Sequence, residues 1–318
     1  MALNYNAITA LTRKKHVPKL VDNFFNSHPL LVLLKKRDKG YSPFEGHSIV
    51  EPLMYGELNN VGSYGAYDTT NYDQSTPITA AEFAVKHLVA PITLSFPEEV
   101  QNHGSDVKVL DLLDAKYQVA EETLMKKFST QLYGDGTGNS GKDITGLGAC
   151  VAASGTYGNI SPVDFAGWVA QVDSNSGQAR PLNTRMMRRM FLSSSDGPDK
   201  PDLIITTDKI WNRYAEMAEG KLQLSTNSKM LADLGFQVLE FMGVPIVADK
   251  DCTAGTMFFL NTKYLKLRYS PIANFKATPV RPADTYIGIK QEILWSGNLT
   301  CSNRRRQGKI TDIDETGY

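Results

Sequence analysis

The chain is 318 residues long, and its 34 basic and 34 acidic side chains cancel to a formal charge of zero. With 42% hydrophobic and 21% charged residues its composition is that of an ordinary globular protein, which excludes a disordered chain, a collagen and a coiled coil. No apolar run reaches the roughly 18 residues of a membrane helix, no signal peptide is read at the polar start, and synthesis in a cytosol is expected. About 150 residues per domain predicts two domains.

The zero net charge hides an asymmetry. Residues 1–40 carry eight bases, among them Arg13, Lys14, Lys15, Lys35, Lys36 and Arg37, against two acids, a net of +6. Residues 41–85 carry no Lys or Arg and six acids, Glu45, Glu51, Glu57, Asp68, Asp73 and Glu82, a net of −6. Three readings are open: solvated faces, an arm and an acidic segment that meet within or between subunits, or a basic arm that faces nucleic acid.

In chain order, Pro18 and Pro29 bracket a short amphipathic stretch, so extended chain, a brief helix and extended chain again are expected. Residues 48–54 and 79–94 have strand character. They flank a Gly- and Tyr-rich stretch, and together predict a long two-stranded excursion with a loop at its tip. From Asp106 to Tyr133 the apolar residues Leu110, Leu113, Tyr117, Ala120, Leu124, Phe128 and Leu132 recur every three or four positions. That spacing predicts one long helix of roughly 40 Å. A Gly-rich turn region follows to about residue 162.

The next unit, residues 163–280, alternates helices and strands: helices over 183–191 and 208–219, strands over 202–206, 236–241, 244–248, 256–261 and 265–269. Strands over 286–295 and 299–302 are expected to return to the long helix. The first domain would then be discontinuous, comprising 86–162 and 281–318. The fold class expected is α+β.

Gly136-Thr137-Gly138-Asn139-Ser140-Gly141-Lys142-Asp143 approaches a phosphate-binding loop. Such a loop follows a strand, opens a helix and ends in Ser or Thr; this one follows a helix and ends in Asp143. A phosphate-binding enzyme using Lys142 is therefore the weaker reading beside a Gly-rich turn. The five histidines show no metal-ligand spacing, and there is no nucleophile elbow. No catalytic residue, metal or cofactor is expected. Cys150, Cys252 and Cys301 are odd in number and far apart, and read as reduced structural thiols. Two basic clusters, Arg185, Arg188 and Arg189 on a helix face and Arg304, Arg305 and Arg306, could meet phosphate or a neighbour's acids.

The order of these pieces resembles the major capsid proteins of tailed bacteriophages, the Hong Kong 97-type fold. Val21-Asp22-Asn23-Phe24-Phe25-Asn26-Ser27-His28-Pro29-Leu30-Leu31 resembles that family's arm. Leu132-Tyr133-Gly134-Asp135-Gly136-Thr137-Gly138 and Ile144-Thr145-Gly146-Leu147 resemble the segment after its spine helix. Gly243-Val244-Pro245-Ile246-Val247-Ala248-Asp249 and Met257–Leu265 resemble its axial strands, and Trp295-Ser296-Gly297-Asn298-Leu299 its closing strand.

The resemblance implies an N-terminal arm (1–40), an extended β-hairpin loop (41–85), a peripheral domain with a spine helix (86–162 and 281–318) and an axial α/β domain (163–280). It also implies a non-enzymatic protein that forms pentamers and hexamers of an icosahedral head around packaged DNA. Arm and loop would reach over neighbouring copies, making Arg13, Lys14, Lys15, Lys35, Lys36 and Arg37 and the acids Glu45, Glu51, Glu57, Asp68 and Asp73 inter-subunit contacts. Portal, scaffolding and decoration proteins would be partners, with no membrane. The protein would be made in the host cytoplasm and reside in the virion. Some members crosslink a loop lysine to a neighbour's asparagine; residues 41–85 contain no lysine, so no such bond is expected from this loop. With no long scaffolding extension at its start, a separate scaffold or none is expected. An encapsulin-like compartment shell is the alternative within this fold.

Overall fold

The computed structural model describes residues 28–36, 40–54, 61–69, 78–101, 106–165, 167–218, 238–284 and 287–316. Helix α1, Pro29–Lys36, opens on a proline, whose fixed φ suits a first helical turn. Its Leu30, Leu31 and Leu34 are fully buried. The stretch after Pro29 is therefore a core helix rather than extended chain; the expected helix before Pro29 lies outside the described residues.

Three strands follow: β1 (Tyr41–Pro43), β2 (Ile49–Met54) and β3 (Ile78–Phe83). β2 and β3 pair antiparallel from Ile49 opposite Phe83 to Met54 opposite Ile78, the expected hairpin. The strand character of 79–94 divides into β3 and β4 (Lys86–Ser95), because Ala84 and Val85 break the ladder.

Helix α2 is Phe96–Gln101, and α3 is Asp106–Tyr133, 28 residues with the bounds expected from its periodicity. α3 buries Tyr117, Leu124, Phe128 and Leu132, and exposes Val119 on the opposite side. The helix ends where Gly134 N–H donates to the Gln131 carbonyl at 3.0 Å.

α3 packs on a sheet built around the longest strand, β13 (Gly288–Cys301). One edge of β13 pairs with β4 over ten residues. Its other edge pairs in turn with β10 (Leu265–Tyr269), β11 (Lys276–Ala277) and β12 (Arg281–Pro282), and β1 runs parallel to β10. Trp295 of β13 meets Phe128 of α3 edge-on, ring centroids 4.7 Å apart at 89°. Truncating a buried aromatic of this kind costs about 3–5 kcal/mol. β13 stays continuous through Ser296-Gly297-Asn298, where two strands were expected. A Cβ at Gly297 would lie 2.1 Å from the Arg268 carbonyl, so only glycine lets β10 come this close.

The second sheet has the order β5-β14-β9-β6-β8-β7. Its strands are β5 (Gln171–Asp173), β6 (Leu203–Thr206), β7 (Val238–Phe241), β8 (Val244–Ala248), β9 (Met257–Leu260) and β14 (Gly308–Ile310). Helices α4 (Thr184–Ser193) and α5 (Asp208–Ala218) cover one face. Ile204, Ile246, Met257 and Phe259 point to those helices, whereas Leu203, Ile205, Val247, Phe258 and Leu260 join the core that contains α3. A strand buried on both faces reads as an unbroken apolar run, as β6 does. The second sheet thus shares the α3 core on one face and closes a second core under α4 and α5 on the other.

Two boundaries differ from the expectation. β10 and β11, placed by sequence in the 163–280 unit, pair with β13 in the spine sheet. β14, expected in the 281–318 peripheral part, lies between β5 and β9 in the second sheet. Alternation tells which face of a strand is buried, not which sheet it joins.

Candidate inter-subunit surfaces

The β2–β3 hairpin lays Ile49, Leu53, Ala81 and Phe83 inward. Its tip, residues 61–69, is exposed throughout: Val61 is 78%, Tyr64 76% and Tyr67 100% accessible. Asp68 accepts the Gly65 N–H at 2.6 Å, which folds the tip on itself. Uncovered aromatics of this kind mark an interaction surface.

The candidate acids separate. Glu45 and Asp68 are exposed. Glu51 is 1% accessible and accepts Lys266 Nζ at 2.6 Å, Arg268 Nε at 2.7 Å and Thr300 Oγ1 at 3.3 Å. It is an internal ion-paired group, which corrects its assignment as an inter-subunit contact. Burial opposes its ionisation, but the two cations prevail and hold its carboxyl below the usual range. The signal was present in sequence, because Glu51 alternates with Ile49 and Leu53 on one strand face. Lys35 and Lys36 are exposed at the end of α1. Arg13, Lys14, Lys15, Arg37, Glu57 and Asp73 lie outside the described residues.

The arginine clusters separate too. Asn183 caps α4 by accepting the Arg185 N–H at 2.9 Å, and Met187, Met190 and Phe191 turn inward. Arg185 and Arg188 are exposed beside Met186 and Leu192, along one groove. Arg189 is tied to Asp173, which also holds Arg180 at 3.0 Å. Burial resists ionisation of Asp173, yet the two arginines draw its carboxyl below the usual range.

Arg304 is 1% accessible and donates to the carbonyls of Ala149, Cys150, Ala152 and Trp168 at 2.8–3.1 Å. Its guanidinium lies 5.0 Å from the Tyr157 ring centroid. That role corrects the expectation of a DNA-facing or interface residue, because every carbonyl it satisfies is internal. Arg305 is exposed, and Arg306 pairs with Asp196.

The near-phosphate loop is a turn with left-handed Asn139 (φ 50°) and Ser140 (φ 57°). Asp143 Oδ1 accepts Gln131 Nε2 at 2.7 Å, and a Cβ at Gly138 would lie 2.3 Å from Asp143 Oδ2. A carboxylate thus occupies the space over the glycine that a phosphate would need. Only the four-residue turn Leu147–Cys150 is helical just beyond it.

Two features were not anticipated. His28 Nδ1 lies 3.5 Å from Asp249 Oδ2, which also accepts Tyr133 OH at 2.7 Å; this joins the start of α1, the end of α3 and the loop after β8. Among the described residues, His28, Asp249 and Asp251 are the group close enough to share a metal ion. Two of its carboxylate oxygens are already engaged, Oδ2 of Asp249 by Tyr133 and Oδ1 by the Asp251 N–H at 3.0 Å. The second is an apolar groove of about 530 Å³ between β4 and α3, with Val89, Ala115, Val119 and Ala120 on its walls and Lys116 and Lys127 at its edges. Lys116 is held by Glu98 at 2.9 Å. No described helix is long and apolar enough to cross a membrane.

No protein-family model matches the chain, and no curated protein matches its sequence. Solved structures do match its fold. The subunit of the cyanophage A-1(L) capsid asymmetric unit aligns over 84% of this chain and 88% of its own, with a TM-score of 0.63 and 21% identity. The capsid of Myoviridae phage XM1 aligns over 86% and 90%, with a TM-score of 0.56 and 12% identity. The holo-SrpI encapsulin complex from Synechococcus elongatus PCC 7942 aligns over 100% and 98%, with a TM-score of 0.51 and 11% identity. The chain has the α+β fold of these shell subunits.

Proposed function

We propose that this chain is the building block of a closed protein shell, the major capsid protein of a tailed-phage head enclosing double-stranded DNA. The observation that carries the reading is the uncovered stretch between β2 and β3, where Val61, Tyr64 and Tyr67 are exposed. Among the described residues of one chain, nothing covers these side chains. Across a boundary they add buried area that a compact subunit lacks, and a stable contact needs about 800 Å² per partner. The fold likeness to capsid subunits supports the same reading.

The complementary surface is the β4–α3 groove of a neighbouring copy. Its apolar walls suit the exposed aromatics, and Lys127 suits a loop segment that has no base and keeps five of its six acids once Glu51 is paired internally. Arg185, Arg188 and Arg305 are exposed cations available to packaged DNA, a contact without sequence preference. Pentamers and hexamers, with scaffolding, portal and decoration proteins as partners and the virion as destination, belong to this proposal. So does the absence of catalysis, which the carboxylate over Gly138 supports for the phosphate-loop alternative.

Negative-stain microscopy with sedimentation, at low and high salt, tests it on the chain expressed alone and with the products of neighbouring genes. Closed shells or five- and six-membered rings are expected, weakened by high salt if loop charge contributes. A monomer under every condition refutes the reading. A compartment shell is the second reading, favoured by the encapsulin alignment over the whole chain. Particles from the native host that hold a folded enzyme and no DNA would select it.

A further inference from the structure

A strand at the edge of a sheet presents backbone donors and acceptors that another chain can pair with, unless something blocks them. Among the described residues β4 pairs with β13 alone, so its second edge faces away from the sheet. Three contacts show which residues aim their backbone groups outward. Pro91, which has no N–H, stands opposite Glu292, whose N–H and carbonyl are both taken by Thr278 on the far side of β13. The Thr93 carbonyl accepts Lys116 Nζ at 2.8 Å, and the Ser95 N–H donates to Glu98 at 2.9 Å. Backbone direction alternates along an antiparallel strand, so His87, Val89, Pro91, Thr93 and Ser95 all face outward.

That edge is closed at one end and open at the other. Glu98 of α2 and Lys116 of α3 occupy the Ser95 N–H and the Thr93 carbonyl, and Pro91 offers only a carbonyl. Among the described residues, the outward N–H and carbonyl of His87 and of Val89 meet no partner, and neither does the Pro91 carbonyl. The open run borders the groove between β4 and α3, where Val89 is 55% and Val119 64% accessible. No acid lines the groove, and its charged side chains are Lys116 and Lys127. It suits an apolar segment of neutral or negative charge with backbone groups to spare. Residues 61–64, Val-Gly-Ser-Tyr, have this character: all four are exposed and make no backbone hydrogen bond among the described residues. They belong to the stretch 41–85 that holds no base, and exposed Asp68 follows with a charge opposite to that of Lys127.

Resting on the shell reading above, we propose that residues 61–64 of one copy add as a strand to the outer edge of β4 in a second copy, pairing with residues 87–91 beside the β4–α3 groove. His87 and Val89 each exchange two hydrogen bonds with the added strand, and Pro91 accepts one more. Main-chain pairing supplies the attachment, and the groove selects the side chains, as in other strand-addition contacts. Pro91, Lys116 and Glu98 end the pairing and keep it short.

The test co-assembles two variants of the full chain. One carries Val89→Cys; the other carries in turn Val61→Cys, Gly62→Cys, Ser63→Cys or Tyr64→Cys. Oxidised particles are run unreduced, so that only a contact between chains gives a linked dimer; the three native cysteines are buried. Successive side chains of a strand point to opposite faces, so positions two apart, 61 and 63 or 62 and 64, should link about fivefold more than the other pair. A second readout is Val89→Pro, which removes an outward N–H and leaves the ladder to β13 intact. Its subunit should give the parental near-UV circular dichroism while particle yield falls about tenfold, and Val89→Thr should assemble as the parent does. Parental particles that link equally at all four positions, or at none, overturn the added strand and leave the shell reading standing, as does parental yield from Val89→Pro. A parent that forms no particle under any condition overturns both.

Discussion

Removing the Arg304 side chain is expected to damage stability rather than any surface function. The guanidinium donates to four internal carbonyls, those of Ala149, Cys150, Ala152 and Trp168. Hydrogen bonds from a charged donor contribute about 1.5–3 kcal/mol each, so the low end for four is about 6 kcal/mol. Water entering the vacated space would satisfy part of that loss, leaving about 4 kcal/mol for Arg304→Ala. Strands of the second sheet bury one face in the α3 core, so the whole chain is expected to unfold as one unit. At about 2.1 cal/mol/K per residue its unfolding entropy is roughly 0.7 kcal/mol/K, and 4 kcal/mol lowers Tm by about 6 °C. Arg304→Lys keeps the charge but not the fork, and should fall between the two. Arg305→Ala should stay within about 0.5 kcal/mol of the parent, as exposed substitutions do. Thermal unfolding by near-UV circular dichroism, with each chain in the same assembly state, measures all three. Equal Tm values for Arg304→Ala and Arg305→Ala would refute the reasoning.

Glu51 should make stability depend on acid. Its folded pKa is depressed, so its contribution is present above the unfolded carboxylate pKa, near 4.3, and is lost as pH falls through the folded value. Glu51→Gln should cost about 3 kcal/mol at neutral pH and flatten the fall of Tm between pH 5 and 3, and an unchanged acid slope would count against the pairing with Lys266 and Arg268. Replacing both Tyr64 and Tyr67 with Ser should leave Tm of the unassembled subunit unchanged while abolishing shells in the sedimentation assay; assembly at parental yield would remove the tip from the interface. Tyr133→Phe, which deprives Asp249 of a hydrogen bond of 2.7 Å, should lower stability by about 1 kcal/mol in urea titration. Assembled particles boiled in denaturant should run as single chains, because residues 41–85 hold no lysine; a covalent ladder traced to that loop would contradict this.

What local sequence could determine, it determined closely. The bounds of α3 follow from a stripe recurring every three or four residues and a glycine at its end, and both signals act within a few residues. β8, Val244–Ala248, and the hairpin of β2 and β3 follow in the same way from apolar runs bounded by turns. The inward placement of Glu51 was legible from its alternation with Ile49 and Leu53, although its partners Lys266 and Arg268 were not.

Tertiary structure alone decided the rest, because the deciding contacts join residues far apart in the chain. β10 and β14 carry correct strand patterns, yet pattern specifies a buried face and leaves the sheet open. Arg304, Arg305 and Arg306 are chemically identical neighbours in one turn, and their fates diverge because that turn aims one side chain at four buried carbonyls, one at solvent and one at Asp196. Local periodicity sets which elements form; only packing chooses which of them touch.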